Sequence, residues 1–358
     1  MISGKRRRRA TVCALFCLAL CLALFAGCGE QKPGAQSSSE QSEQSGDDTL
    51  SERTVFAMDT VMTLRVYGAD GEKALDDAED EIMRLDALLR RGDTSSEIYK
   101  VNSERTAEVS EDTAELLKAA LSISDSTDGV FDISIAPVMD LWGFYGQQFH
   151  VPTSEAIESA LSDVDWHGIS LKGNTVSLQD GVQIDLGGLA KGFLSNRIME
   201  IYRENGIESG LVSLGGNVQV LGTKPDGSQW TIAIQDPDDE TAYAGTIKAS
   251  DKAVITSGSY QRFFEENGVK YHHIIDPKTG YPAKSGVTSV TIVSEDGTMA
   301  DGLSTSLFIM GVDKGIEYWR SHEGFDAVFI TEDEKVYVTE GLEDTFSSDL
   351  PYEVMKRK

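Results

Sequence analysis

The chain has 358 residues, of which 32 are Lys or Arg and 59 are Asp or Glu, giving a formal net charge of −27 at pH 7. With 40% hydrophobic and 25% charged residues it is not collagen-like, wholly disordered or a polytopic membrane protein, and its length supports one large domain or two. So acidic a surface repels phosphate backbones, and with no basic patch in the body to offset it, nucleic acid is excluded as a partner.

Residues 1–27 read as a signal peptide of the lipoprotein type. Lys5 and the four arginines at 6–9 form a positive start, and 10–25 is an apolar run of 16 residues, short for a stable membrane span. The run closes on Phe25-Ala26-Gly27-Cys28, where small residues before a cysteine resemble a bacterial lipobox with Cys28 as the lipidated residue. An uncleaved signal anchor is the alternative, and either route leaves the body outside the cytoplasm, held to the cell membrane. Cys13, Cys17 and Cys21 lie in the apolar run, so the mature body has no free thiol and no disulfide, Cys-ligated zinc or Cys nucleophile. Removing residues 1–27, which carry five positive and no negative charges, takes the net charge to −32. Residues 29–51, rich in Ser, Gln, Glu and Gly, read as a flexible tether.

The body, 54–350, opens on a strand-like stretch in which Met62, Leu64 and Val66 alternate. Apolar spacings of three and four predict a helix over 71–91, with Arg90 and Arg91 suited to its C-terminal dipole. A polar loop runs to about Asn102, and a helix over 110–124 is capped by Ser110. The stretch 131–144 fits neither period and reads as a buried loop or short turns. A helix over 153–162 precedes strands near 168–172, 175–179 and 182–186, and a helix over 189–204 follows Gly187-Gly188. Strands recur near 210–214, 217–222, 230–234, 245–249, 253–257, 272–275 and 287–293. Helices at about 300–310 and 313–322 come before strands near 326–330 and 335–338. Strands mixed with helices, without strict alternation, predict an α+β fold: a largely antiparallel mixed sheet with flanking helices.

Three glycine-flanked polar clusters could carry chemistry. In Ile184-Asp185-Leu186-Gly187-Gly188-Leu189-Ala190-Lys191-Gly192, bare backbone at a helix start and a lysine in the first turn suit a diphosphate; a tight turn with a solvated lysine explains the pattern equally well. In His272-His273-Ile274-Ile275-Asp276-Pro277, adjacent histidines point to opposite faces, so at most one faces a site, and an ordinary pKa of about 6.5 would let it act as proton acceptor. In Ala300-Asp301-Gly302-Leu303-Ser304-Thr305, a carboxylate and a hydroxyl four apart share a helical face, as hard ligands for Mg²⁺ do; taken alone, a helix cap is the simpler reading.

Together the segments AMDTVMTL, FDISIAPVMDLWGF, IDLGGLAKGF, SLGGNV, TSGSYQRFF, HHIIDPKTGYP and ADGLSTSLFIMG resemble, in order and spacing, the ApbE family of flavin transferases, from about Val55 to the last strands. The resemblance implies an ApbE-like fold with an FAD site in a cleft, and an enzyme that moves FMN from FAD onto a Ser or Thr hydroxyl of another protein with Mg²⁺, releasing AMP. By the same resemblance Asp301, Thr305 and the Gly188 carbonyl would ligate Mg²⁺, and Met58, Asp132, Asp185, Lys191 and Ile275 would line the FAD site. His273 is the candidate to activate the acceptor hydroxyl or steady the transferred phosphoryl group. The implied partners are FAD and an acceptor flavoprotein modified in trans, a membrane-associated or extracytoplasmic redox protein. An FAD pyrophosphatase yielding FMN and AMP, or a flavin-binding lipoprotein without turnover, are the competing readings.

Overall fold

The computed structural model describes residues 49–358; the signal peptide, Cys28 and the tether as far as residue 48 lie outside the described residues. The main sheet has nine strands, in the order β1 (Leu50–Ala57), β2 (Thr60–Tyr67), β6 (Ser209–Leu214), β7 (Asn217–Leu221), β10 (Lys252–Gly258), β13 (Val287–Ser294), β14 (Phe325–Thr331), β15 (Val336–Thr339) and β17 (Tyr352–Met355). Every neighbouring pair is antiparallel except β15 and β17, so the expected largely antiparallel sheet is present. Smaller sheets comprise β8 (Trp230–Gln235), β9 (Tyr243–Ala249) and β16 (Phe346–Ser347); β3 (Thr106–Glu108), β4 (Ile169–Lys172) and β5 (Thr175–Leu178); and a hairpin of β11 (Phe263–Glu266) with β12 (Val269–His272).

Alternation along the strands explains how the sheet is covered on both faces. In β10, Ala253 and Ile255 enter the core on the helical side, while Val254 between them joins Trp230, Ile232 and Ile247 of the small sheet opposite. β13 does the same with Val290 and Ile292 against Val293, which is why it reads as a near-continuous apolar run. The helical layer is built from α1 (Gly71–Leu89), α6 (Ala190–Glu204) and α7 (Gly297–Ser321), which pack on these strands and on one another. Met62, Leu64 and Val66 are fully buried beneath α1, as their alternation predicts.

Several local expectations change. The strand-like opening is a hairpin, broken where Met58 and Asp59 take left-handed φ values of 48° and 58°; Met-Asp carries none of the Asn-Gly chemistry that announces such a turn. Strand β1 starts at Leu50, inside the expected tether, and β17 runs past residue 350. The polar loop before Asn102 contains α2 (Glu97–Glu104), capped by Ser96, whose Oγ accepts the Tyr99 N–H at 3.0 Å. The 182–186 segment is not a strand: its backbone meets Ile133 and Ile135 in a single parallel bridge, and a side chain takes the other edge. Asn102 Oδ1 accepts the Ile184 N–H at 2.7 Å, and Asn102 Nδ2 donates to the Ile184 carbonyl at 2.9 Å.

Helix α3 (Glu111–Ser126) is capped by Ser110, as the sequence predicts, and Thr153, expected as the first residue of the next helix, is instead the cap of α5 (Ser154–Leu161). Within 131–144 a turn leads into the short α4 (Ala136–Leu141), and Trp142 and Phe144 beyond it are buried. Strand β12 stops at His272 rather than Ile275, and its partner β11 was not anticipated. The two helices expected at about 300–310 and 313–322 are both present, joined end to end within α7 and separated at Gly311, where φ 78° and ψ 177° suit only glycine. Gly311→Ala should therefore lower stability by about 1–3 kcal/mol in urea unfolding, with little change in helical circular dichroism.

Candidate functional site

The site grows out of the crossing of α6 and α7. A Cβ on Gly192 would lie 2.1 Å from the Gly297 carbonyl oxygen, and one on Gly297 would lie 2.5 Å from Ser195 Oγ, so two glycines let the helices touch backbone to backbone. That contact brings Asp301 onto the first turn of α6. Its Oδ2 accepts the Gly192 N–H at 2.9 Å, and its Oδ1 accepts from Asn217 Nδ2, at the start of β7, at 3.0 Å. The cap of α7 itself is Asp296, whose Oδ1 accepts from Thr298 and Met299. Asp301 thus caps a helix, but the neighbouring one.

Burial raises the Asp301 pKa, while Lys191, the Gly192 N–H and Asn217 pull it back down. Thr305 lies one turn further along α7, half-buried, its Oγ1 3.3 Å from Ser257 Oγ. Ser257 Oγ is also hydrogen-bonded to Ser304 Oγ at 2.8 Å.

Gly187 and Gly188 are exposed just before α6, whose N-cap, Leu189, makes no side-chain cap. Asp185 shapes this turn by accepting the Gly187 N–H at 2.8 Å, and its other oxygen lies 3.3 Å from Arg91 Nε as an ion pair without hydrogen-bond alignment. Arg91 also grips Asp140 of α4 with two nitrogens at 2.9 and 2.5 Å, so it ties that helix down rather than merely facing the α1 dipole. Phe131 packs close to Gly188, where an added Cβ would lie 3.2 Å from its ring. Asp132, next to it, is buried and accepts from the Ser134 N–H and Oγ at 2.7 and 2.6 Å; burial raises its pKa against those bonds.

His272 and His273 point to opposite sides, as expected. Nε2 of His272 is 3.1 Å from the Ala283 carbonyl, and its ring meets Phe308 edge-on. His273 Nδ1 is 3.1 Å from the Arg262 carbonyl, and its ring meets Phe144. Burial, reinforced by the charges of Lys191 and Arg262, pushes the His273 pKa down to about 3. Only the neutral imidazole is therefore present near neutrality, in place of the two accessible states that an ordinary pKa would allow.

Lys191 acts on both Asp301 and His273, which joins the first and third clusters to the second. Met58, Ile275 and Asp132 lie in separate segments, without a hydrogen bond to Asp301 or His273 among the described residues. The Met58 N–H donates to Asp86 Oδ1 at 3.3 Å, and Ile275 is buried with Trp142, Phe144 and Ile157. Two surface grooves, of about 340 and 640 Å³, are lined by Asp296 and its neighbours and include neither Asp301 nor His273.

Sequence reasoning passed over Asn217 and Ser257 and gave Arg91 only to the α1 dipole. The first two sit in SLGGNV and TSGSYQRFF, but an amide and a hydroxyl after glycine or threonine carry no chemical pattern until the strands bring them beneath α7.

A sequence model of the ApbE family matches residues 58–329, more than half of the chain. The chain belongs to the ApbE family. An FAD:protein FMN transferase of Treponema pallidum is 33% identical over 316 residues, covering 82% of this chain and 87% of that one. One from Klebsiella pneumoniae is 33% identical, covering 76% and 87%. Among solved structures, the ApbE protein of Thermotoga maritima superposes with a TM-score of 0.78 at 34% identity, over 82% of this chain and 98% of that chain. The flavin transferase ApbE of Vibrio cholerae gives 0.76 at 27% identity, over 83% and 99%. The ApbE-like α+β fold is therefore the fold of this chain.

The depressed His273 pKa has a consequence for stability. Between about pH 6.5 and 3 the unfolded chain takes up a proton that the folded one refuses, so stability falls as pH drops through that window. His273→Gln should lose less stability than the parent between pH 7 and 4.5 in urea titrations.

Proposed function

We propose that this ApbE-family chain is an FAD:protein FMN transferase that splits the diphosphate of FAD in a cleft, moves FMN onto a Ser or Thr hydroxyl of an acceptor protein and releases AMP, with Mg²⁺ bound. The observation that carries the reading is the buried Asp301 carboxylate, held on the first turn of α6 beside Lys191 and one turn from Thr305. Two donors occupy two of its roughly four lone-pair sites, leaving one on each oxygen. Among the described residues no three His, Cys, Asp or Glu side chains form a metal cage. One carboxylate, a hydroxyl and a carbonyl instead fit a Mg²⁺ ion that keeps waters and takes substrate phosphates. Asp301, Thr305 and the Gly188 carbonyl would hold the ion, which when bound neutralises charge on the diphosphate.

The chain's own groups do the rest. Lys191 and the positive end of the α6 dipole compensate the diphosphate in a strongly acidic protein. Met58, Asp132, Asp185 and Ile275 line the flavin nucleotide, with Asp185 fixing the turn that carries Gly188. With Nδ1 donating to the Arg262 carbonyl, His273 presents a bare Nε2 as proton acceptor for the incoming hydroxyl. Burial is the larger cause of the depressed imidazole pKa, and a bound diphosphate would offset only the lesser one, the charges of Lys191 and Arg262. Export, lipidation at Cys28 and an acceptor at or beyond the cell membrane rest on the sequence of the first 51 residues.

The decisive experiment is incubation with FAD, Mg²⁺ and a purified candidate acceptor, followed by mass spectrometry. A covalent FMN adduct supports the reading; free FMN and AMP without an adduct, or intact FAD, would overturn it. Asp301→Asn preserves side-chain volume and should abolish transfer while retaining the fold by circular dichroism. Asp301→Ala should in addition lose about 1–3 kcal/mol, because the Gly192 N–H is left buried without an acceptor. Lys191→Met should raise the apparent KM for FAD about 10–100-fold, the equivalent of one charge-assisted hydrogen bond.

A further inference from the structure

We infer that Asn217 and Ser257, two sheet residues without an assigned role, are positioning residues that aim Asp301 and Thr305 at a bound divalent cation. The inference rests on the metal reading above and goes beyond it.

The argument follows the protons. Ser304 Oγ donates to the Asp301 backbone carbonyl at 2.8 Å and so spends its only hydrogen. In the 2.8 Å bond between Ser257 and Ser304, Ser257 must therefore be the donor. Having spent its own hydrogen, Ser257 can only accept in the 3.3 Å contact with Thr305. The Thr305 O–H is thus turned toward Ser257, and its oxygen lone pairs are turned away and left free for a cation. No other arrangement of the three hydroxyls satisfies all three contacts.

Asn217 does the equivalent for the carboxylate. It is 4% exposed, begins β7 directly after the Gly215-Gly216 turn, and pairs with Leu214 across that hairpin, so its side chain has one available direction. Its Nδ2 donates to Asp301 Oδ1 while the Gly192 N–H donates to Oδ2, which fixes the carboxylate plane and keeps both oxygens as acceptors. β7 and β10 are antiparallel neighbours, so Asn217 at the start of one and Ser257 near the end of the other lie at the same end of the sheet. The rigid sheet thereby sets the aim of two ligands that belong to a helix.

The test uses the full chain loaded with FAD and measures Mn²⁺ binding by electron paramagnetic resonance, together with turnover against Mg²⁺ concentration. Ser257→Ala and Asn217→Leu should each weaken Mn²⁺ binding about 10–100-fold, and each should regain near-parent kcat at saturating Mg²⁺. Ser257→Thr, which keeps the hydroxyl, should bind Mn²⁺ like the parent. Ser257→Ala deletes one half-buried oxygen, so its melting temperature should stay close to that of the parent. Unchanged Mn²⁺ affinity in Ser257→Ala, or a kcat loss that saturating Mg²⁺ does not repair, would overturn the inference. Asp301→Asn separates it from the reading beneath it: if that variant still binds Mn²⁺ like the parent, the metal assignment itself fails.

Discussion

The hydrogen bond from the Gly192 N–H to Asp301 is the constraint on which the rest of the arrangement depends. It asks a carboxylate to be buried, which raises its pKa, and it is tolerable because helix dipole, lysine and amide all face it. The bond exists only because Gly192 and Gly297 carry no side chains; either Cβ would force the two helices apart. One contact therefore couples the turn at Gly188, the lysine beside it and the hydroxyls of α7. A polar chain reinforces it: Asn196 Oδ1 accepts the Gly297 N–H and bonds Gln219, which in turn bonds Ser195. Helices α6 and α7 are thereby fixed to β7 as well as to one another.

Charge distribution gives the same picture at a larger scale. The chain is strongly acidic, yet around Asp301 and His273 the charges that matter are Lys191 and Arg262. Under the proposed function, an anionic dinucleotide would be repelled by most of the surface and drawn to this one place. The neutral His273 completes this economy, because a protonated imidazole beside two cations would add a charge that nothing nearby balances.

How much of this was legible in the sequence depends on the range of the interaction. Periodicity disclosed α1, α3, α6 and most strands of the main sheet, because burial on one or both faces leaves a direct trace in residue order. Even the break near 311 was readable, as a gap between two helices. The Met58-Asp59 turn and the loss of a strand at 182–186 were not, since each is decided by a distant side chain, Asp86 and Asn102; α2 has a local cap in Ser96 but buries only Ile98 and Val101, too few to leave a period. At the site the chemical types were visible, and Asp301, Lys191 and His273 do share one electrostatic field. The protonation state of His273 was hidden, because burial by Phe144 and the approach of Arg262 are tertiary facts. Asp301 as the cap of another helix was hidden for the same reason.

The order of strands in the sheet also bears on how the chain acquires its shape. Strand β2 finds its inner neighbour in β6, with Met62 opposite Leu214, so six helices and two small strand pairings lie in sequence between the N-terminal hairpin and the strand that fastens it. Closures between residues so far apart in sequence are slow. The N-terminal hairpin is in this sense a latch whose second half arrives some 150 residues downstream, so the sheet cannot close at that edge until most of its helical cover has been synthesised.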